Sequence, residues 1–106
     1  MAPCGPLTDW RQVLALYDQL AAILPTPVVA LNRAVALAEV AGPAAALEAV
    51  DELPLADYHL YHAIRADLLR RLNRGTEAAA AYDRAIALAE NAAERAFLVT
   101  RRATLD

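Results

Sequence analysis

The chain of 106 residues is long enough for one small domain, and its net charge of −3 argues against nucleic-acid binding, which calls for a basic surface. Hydrophobic residues make up 58% of the sequence, and because alanine and leucine supply the excess, the composition favours packed helices over strands. Charges interrupt every apolar segment, so no stretch reaches the roughly 20 residues that span a bilayer. Since the single cysteine, Cys4, cannot form an internal disulfide, we expect a cytoplasmic protein.

Turn and capping residues divide the chain into a flexible leader, residues 1–7, and one helical domain, residues 8–106. The leader lacks the basic and apolar regions of a signal peptide. The predicted helices cover residues 9–24, 27–39, 43–53, 58–72, 76–89 and 92–103. Their apolar residues recur every three or four positions, which is the helical period.

Local capping signals fix most of these boundaries. The predicted N-caps are Thr8 or Asp9 for helix 1, Thr26 for helix 2, Asp57 for helix 4 and Asn91 for helix 6. Glu94, three residues after Asn91, predicts a capping box. Pro25 should stop helix 1, Gly42 should end helix 2, and residues 73–75 should form a turn.

A shift of 32 residues places the later helices on the earlier ones. Ala78 and Tyr82 fall on Ala46 and Val50, and Ala66 falls on Ala34. A further shift of 33 places Val50 on Tyr17. The unit is therefore a helix pair, and helix 1 takes the place of a second helix.

These spacings resemble the tetratricopeptide repeat (TPR), which has small residues where its paired helices cross. The matching residues are Trp10, Tyr17, Pro25, Ala66, Leu69, Asn73, Ala78, Tyr82 and Ala85. Val50 and Glu90 depart from the pattern, as do arginines 33 and 65. The resemblance implies an all-α, right-handed solenoid of antiparallel helix pairs. Its order would be a lone second helix, two pairs and a capping helix.

Longer strings resemble a narrower family. They are residues 8–10 (TDW) with 15–18 (ALYD), 27–36 (PVVALNRAVA) and 58–72 (YHLYHAIRADLLRRL). Together they look like the C-terminal, TPR-like extension of bacterial extracytoplasmic-function (ECF) sigma factors, over about residues 7–105. The resemblance implies a regulatory protein–protein interaction domain acting in transcription initiation. The alternative is a free-standing TPR-type scaffold unrelated to transcription.

No pattern in the sequence predicts catalysis or a bound cofactor. His59 and His62 share a helix face, but two ligands do not make a metal site, and packing is the commoner role. Cys4 has no paired base nearby. The three glycines lie in the leader or in turns and do not form a phosphate-binding loop. We expect a protein that is not an enzyme, with no metal, nucleic acid or membrane as its partner.

Arg33 and Arg65 occupy equivalent places in successive first helices. One interpretation is a ladder that binds anions or carboxylates. The other is a pair of structural arginines held by acids of the following helix, such as Glu48 or Asp51 and Asp83. Arginines 70, 71 and 74 form a separate cluster, which is typical of a solvated helix end. The alternative is that this cluster faces an acidic surface elsewhere on a sigma factor or on the polymerase.

TPR geometry suggests an inner surface that binds a protein, either the parent's own sigma regions or RNA polymerase. Its candidate residues are Val28, Leu31, Asn32, Arg33, Val35, Glu39, Leu60, Arg65, Asp67, Arg70 and Arg71.

A second expectation concerns helix 1, whose first-helix partner is missing. Its apolar stripe should drive self-association of this fragment, as a two-fold dimer, through Trp10, Val13, Leu14 and Tyr17.

Overall fold

The computed structural model describes residues 9–105, and these form six α-helices and no strand. The helices are α1 (Trp10–Ile23), α2 (Pro27–Ala41), α3 (Pro43–Asp51), α4 (His59–Arg71), α5 (Gly75–Leu88) and α6 (Ala92–Ala103). The all-helical class and the number of helices agree with the sequence prediction. The predicted leader, the cysteine in it and the possible cap Thr8 lie outside the described residues. Within them, no helix is long and apolar enough to cross a bilayer.

Side-chain caps begin three of the helices as predicted. Asp9 Oδ1 accepts a hydrogen bond from the Arg11 backbone N–H at 3.2 Å, and Thr26 Oγ1 accepts one from the Val29 N–H, also at 3.2 Å. Asn91 Oδ1 accepts one from the Glu94 N–H at 2.8 Å. The reciprocal half of the predicted capping box is displaced by one residue, because the Glu94 carboxylate accepts from the backbone N–H of residue 90. These caps satisfy N–H groups that the helix itself leaves unpaired.

The segment between α3 and α4 differs from the prediction. The helix ends at Asp51, because Pro54 disfavours helical geometry at the residue before it and a chain of turns follows. The predicted cap Asp57 lies inside these turns, and Tyr58 takes the N-cap position without a side-chain hydrogen bond. At the end of α2, Gly42 has a φ of 97°, a conformation that strongly favours glycine.

The helices pack mainly against their neighbours in sequence. The most extensive packing joins α4 to α5, followed by α2 with α3 and α1 with α2. One core cluster contains residues from α2 through α6. The alanines predicted at the helix contacts are all fully buried, namely Ala34, Ala46, Ala66 and Ala78. By contrast, α1 has no buried residue, so it lies at the edge of the domain.

Candidate partner-binding trough

An apolar cavity of about 260 Å³ lies between α2, α4 and α6. A second cavity, of about 270 Å³, shares four lining residues with it and extends toward His59 and Glu94. The space exists because α4 and α6 both pack on α5 without extensive packing against each other. We call these two connected cavities the trough. Its main side chains are Val35, Leu60, Ile64, Asp67, Arg71, Phe97, Leu98 and Arg101.

Large apolar side chains of the trough remain exposed to solvent. Phe97 is 59% exposed, and Val35 and Leu60 also belong to the exposed hydrophobic residues. They come from α6, α2 and α4, so three helices contribute to one apolar surface. An exposed apolar surface with a polar rim is typical of a site where another molecule binds.

One end of the trough carries a charge cluster centred on Asp67. The Asp67 carboxylate accepts a 2.6 Å hydrogen bond from Arg70, and Arg101 Nη2 lies 3.4 Å from the same oxygen. Arg71 lies 4.0 Å from the other Asp67 oxygen and 3.3 Å from Glu39. The hydrogen bond to Asp67 is the main reason why the pKa of Arg70 is raised, so this guanidinium stays charged. Three arginines and two acids leave the cluster with one net positive charge.

Tyr82, from α5, lies at the floor of the trough and is only 2% exposed. Its hydroxyl and the Nε of Arg70 are buried, and neither has a hydrogen-bond partner within residues 9–105. The hydroxyl nevertheless lies close enough to help raise the pKa of Arg70. The two groups are therefore neighbours beneath the trough.

The two histidines point to separate partners. His59 Nε2 lies 3.1 Å from a Glu94 oxygen, at the second end of the trough. His62 is buried, and its Nε2 lies 2.7 Å from the backbone oxygen of Ala56. Across residues 9–105, no group of three or more histidine, cysteine, aspartate or glutamate side chains is placed to hold a metal ion. His62 is thus a buried residue that contacts the backbone, and His59 contacts the Glu94 carboxylate.

Arg33 and Arg65 form ion pairs outside the trough. Arg33 Nε contacts Asp18 of α1 at 2.5 Å, and Arg65 Nε contacts Asp51 of α3 at 2.7 Å. The prediction that these arginines pair with acids of the following helix is wrong, because each carboxylate belongs to the preceding helix. A third pair, Arg102 with Asp83 at 2.6 Å, likewise joins α6 to the helix before it. The structural interpretation of these arginines therefore fits better than the anion ladder.

The structure brings only some of the candidate groove residues together. Val35, Leu60, Asp67 and Arg71 line the trough, while Glu39 and Arg70 adjoin it through their ion pairs. Leu31 is wrong as a contact residue, since it is 1% exposed and belongs to the core. The other α2 candidates lie elsewhere: Asn32 is exposed outside the trough, and Val28 borders a separate depression beside residues 54–58.

The contribution of α6 to the trough was not predicted from the sequence. Phe97 and Arg101 line the trough, and the Arg101 guanidinium lies 5.4 Å from the centre of the Phe97 ring. The sequence predicted α6 only as a capping helix, with no partner-binding residue. The apolar run Phe97–Val99 was the available signal, because three successive residues span about 200° around a helix and cannot all face the core. Leu98 is buried in the core, whereas Phe97 and Val99 are exposed.

The exposed stripe of α1 also differs from the predicted one. Trp10, Val13, Leu14 and Tyr17 are half-buried, which places them toward α2, the main neighbour of α1. The solvent-facing apolar residues are instead Leu16, Leu20, Ile23 and Leu24. Both sets have helical spacing, and the contact with α2 decides which of them is covered.

Comparison with known proteins finds one informative similarity. An uncharacterized protein of Rhizobium meliloti (strain 1021) is 50% identical over 93 residues, covering 86% of this chain and 22% of that protein. The chain thus spans about a fifth of the length of this curated relative. No family model and no solved structure matches the chain.

Proposed function

We propose that this chain is a regulatory protein–protein interaction domain of an ECF-type sigma factor, acting in transcription initiation in the bacterial cytoplasm. Its architecture would be a TPR-like right-handed solenoid, and its partner a protein that binds in the trough. The observation that carries the proposal is the convergence of exposed apolar residues from α2, α4 and α6 on one groove. Helix-lined grooves of this kind bind peptides and helices.

Two features support the repeat architecture. Helices adjacent in sequence pack together throughout residues 9–105, as they do in a solenoid. Asp18, Asp51 and Asp83 each form an ion pair with the next helix, and they follow one another by 33 and 32 residues. The ion pairs thus repeat with the period that the sequence shows.

The sigma-factor assignment rests on the long strings that resemble the ECF extension. Residues 27–36 lie in α2, and residues 58–72 cover α4 with one capping residue at each end. Both helices line the trough. The matched stretch in the Rhizobium meliloti relative is 22% of that protein, so it is part of a longer chain there. This arrangement fits an extension attached to other regions.

The test uses the full-length Rhizobium meliloti relative, with and without its matched 93-residue stretch. Both forms are incubated with core RNA polymerase, and binding and promoter-dependent transcription are measured. We expect the full-length protein to bind core polymerase and the deletion to change its transcription activity. Circular dichroism of the deleted form checks that the remainder is folded.

Failure of the folded full-length relative to bind core polymerase would refute the sigma-factor assignment. A free-standing scaffold would then be the better explanation of the trough. If the relative binds polymerase but the deletion leaves binding and transcription unchanged, the regulatory role is wrong.

A further inference from the structure

We infer that the trough receives an acidic amphipathic helix of about three turns from the partner protein. Apolar side chains of this helix would cover Phe97 and Leu60, and a carboxylate near its C-terminal end would pair with Arg101 and Arg71. The inference rests on the proposed function as an interaction domain and adds the chemistry of the partner.

The length of the trough matches a short helix. Its wall on α4 extends from His59 to Arg71, which are 12 residues apart. At 1.5 Å per residue the wall is about 18 Å long, the length of a 12-residue helix. A helix is also favoured over an extended strand because the described walls are helices and offer no sheet edge for backbone pairing.

The middle of the trough requires apolar side chains from its occupant. Leu60, Ala63, Phe97 and Leu98 line both cavities, so the apolar surface is continuous along the trough. Phe97 and Leu60 lie on opposite walls and are both solvent-exposed. Leucine-sized side chains at helical spacing would cover both walls at once.

The charges at the two ends of the trough differ. Asp67 already accepts a close hydrogen bond from Arg70, so it holds Arg101 only at 3.4 Å, and the Arg101 side chain is 43% exposed. Arg101 is therefore the cation least engaged within the cluster. A carboxylate from the partner would balance the positive charge, and charge-assisted hydrogen bonds of this kind are strong. The other end holds the pair of His59 with Glu94 and has no similar excess of positive charge.

The same charges orient the bound helix. The C-terminal end of a helix carries a partial negative charge, so it is favoured beside cations. We place that end near Arg71 and Arg101, and the N-terminal end near the Glu94 carboxylate. Both placements are electrostatically favourable.

A second copy of this chain fits the trough less well. The helix α1 has an exposed apolar stripe of suitable length, but within α1 the only acidic residue is Asp18, and Arg33 already binds it. A nucleic acid would find only a single net positive charge in the cluster. Charge complementarity thus favours an acidic protein segment.

The inference can be tested with two labelled synthetic peptides and the full 106-residue chain. Both peptides are helix-forming, carry leucine at every third or fourth position, and differ only in having glutamate or lysine on the polar face. Fluorescence anisotropy at low salt should show the glutamate peptide binding on the order of tenfold more tightly, an advantage that decreases as salt screens the charges. Equal affinities, or tighter binding of the lysine peptide, would overturn the inference.

Variants of the chain locate the binding site. Arg101→Glu should abolish or reverse the preference for the glutamate peptide, whereas Arg84→Glu, the same charge change at an exposed position on α5, should not. Phe97→Ala should weaken binding about tenfold, and Val99→Ala, at another exposed apolar position of α6, should not. Arg84, Phe97 and Val99 are exposed and the Arg101 side chain is 43% exposed, so the fold should survive, and circular dichroism verifies this. If both control variants lose binding, or if both trough variants bind like the wild type, the peptide does not bind in the trough.

A third peptide, residues 10–24 of this chain, serves as a competitor. If it displaces the glutamate peptide more strongly than an unlabelled copy of that peptide does, a second copy is the occupant and the inference is wrong. If neither synthetic peptide binds while the full-length relative still binds polymerase, the inference fails and the proposed function stands. If the glutamate peptide binds at the trough but the relative ignores polymerase, the sigma-factor assignment fails alone.

Discussion

Replacement of Ala66 by leucine tests how closely the central helices pack. Ala66 lies on α4, which packs against α3 and α5, and its side chain is 0% exposed. Leucine adds three carbon atoms at a point that borders neither cavity of the trough. Such overpacking costs about 1–3 kcal/mol. Alanine and leucine have similar helix propensities, so the loss reports packing and not helix formation.

The assay is thermal unfolding followed by circular dichroism, with urea unfolding as a second measurement. In a domain of this size 1 kcal/mol shifts the Tm by roughly 4–8 °C, so Ala66→Leu should lower the Tm by at least about 4 °C. Ala34→Leu, on α2, should behave in the same way, since Ala34 is also fully buried. The control is Ala80→Leu at an exposed position of α5, which should change stability by less than about 0.5 kcal/mol. An Ala66→Leu protein that melts together with the control would refute the proposed close helix contact.

Three further predictions concern the surface. The exposed apolar stripe on α1 should make the chain self-associate at high micromolar concentration. Ile23 is the most accessible residue of this stripe, at 81% exposure, so Ile23→Glu should lower the mass measured by light scattering. The hydrogen bond from Arg74 lowers the pKa of Glu77 from its ordinary 4.5, so this pair stabilises the fold at neutral pH and loses that effect as the pH falls through the lowered pKa. Urea unfolding of Glu77→Gln between pH 7 and 3 should show a slightly weaker decrease of stability in acid than the wild type. The chain alone should not bind duplex DNA tightly in a gel-shift assay, because its net charge is −3.

Helix boundaries were predictable where local chemistry decides them. Asp9, Thr26 and Asn91 accept hydrogen bonds from N–H groups two or three residues ahead, and this requires no distant part of the chain. Gly42 is similarly local, because its positive φ depends on the absence of a side chain. Asp57 had the right residue type for a cap, but the turns after Pro54 place it one residue too early. Where several turns follow one another, as they do before α4, no single residue type determines which residue begins the helix.

The trough was predictable only in part because its shape depends on three helices. The α4 residues Leu60, Asp67 and Arg71 were predicted from the geometry that the TPR resemblance implies, and they line the trough. Phe97 was missed because the gap between α4 and α6 arises from how both helices pack on α5, which no single helix encodes. For the same reason, periodicity alone could not decide which apolar side of α1 meets α2.

The acids of the interhelical ion pairs repeat more regularly than the arginines. Each follows directly after the residue that the repeat places toward the helix contact, namely Tyr17, Val50 and Tyr82. One residue corresponds to a rotation of about 100° around a helix, so the acid lies at the edge of that contact and within reach of the next helix. Arg33 and Arg65 meet their acids after 15 and 14 residues, but Arg102 meets Asp83 after 19, because the equivalent position of α6 is Phe97. The period of the ion pairs is therefore visible in the acids and not in the arginines. At this one position α6 has phenylalanine where α2 and α4 have arginine, and the exposed Phe97 ring lines the trough. The repeat that begins with α6 therefore differs from the two before it at the residue that the proposed partner would contact.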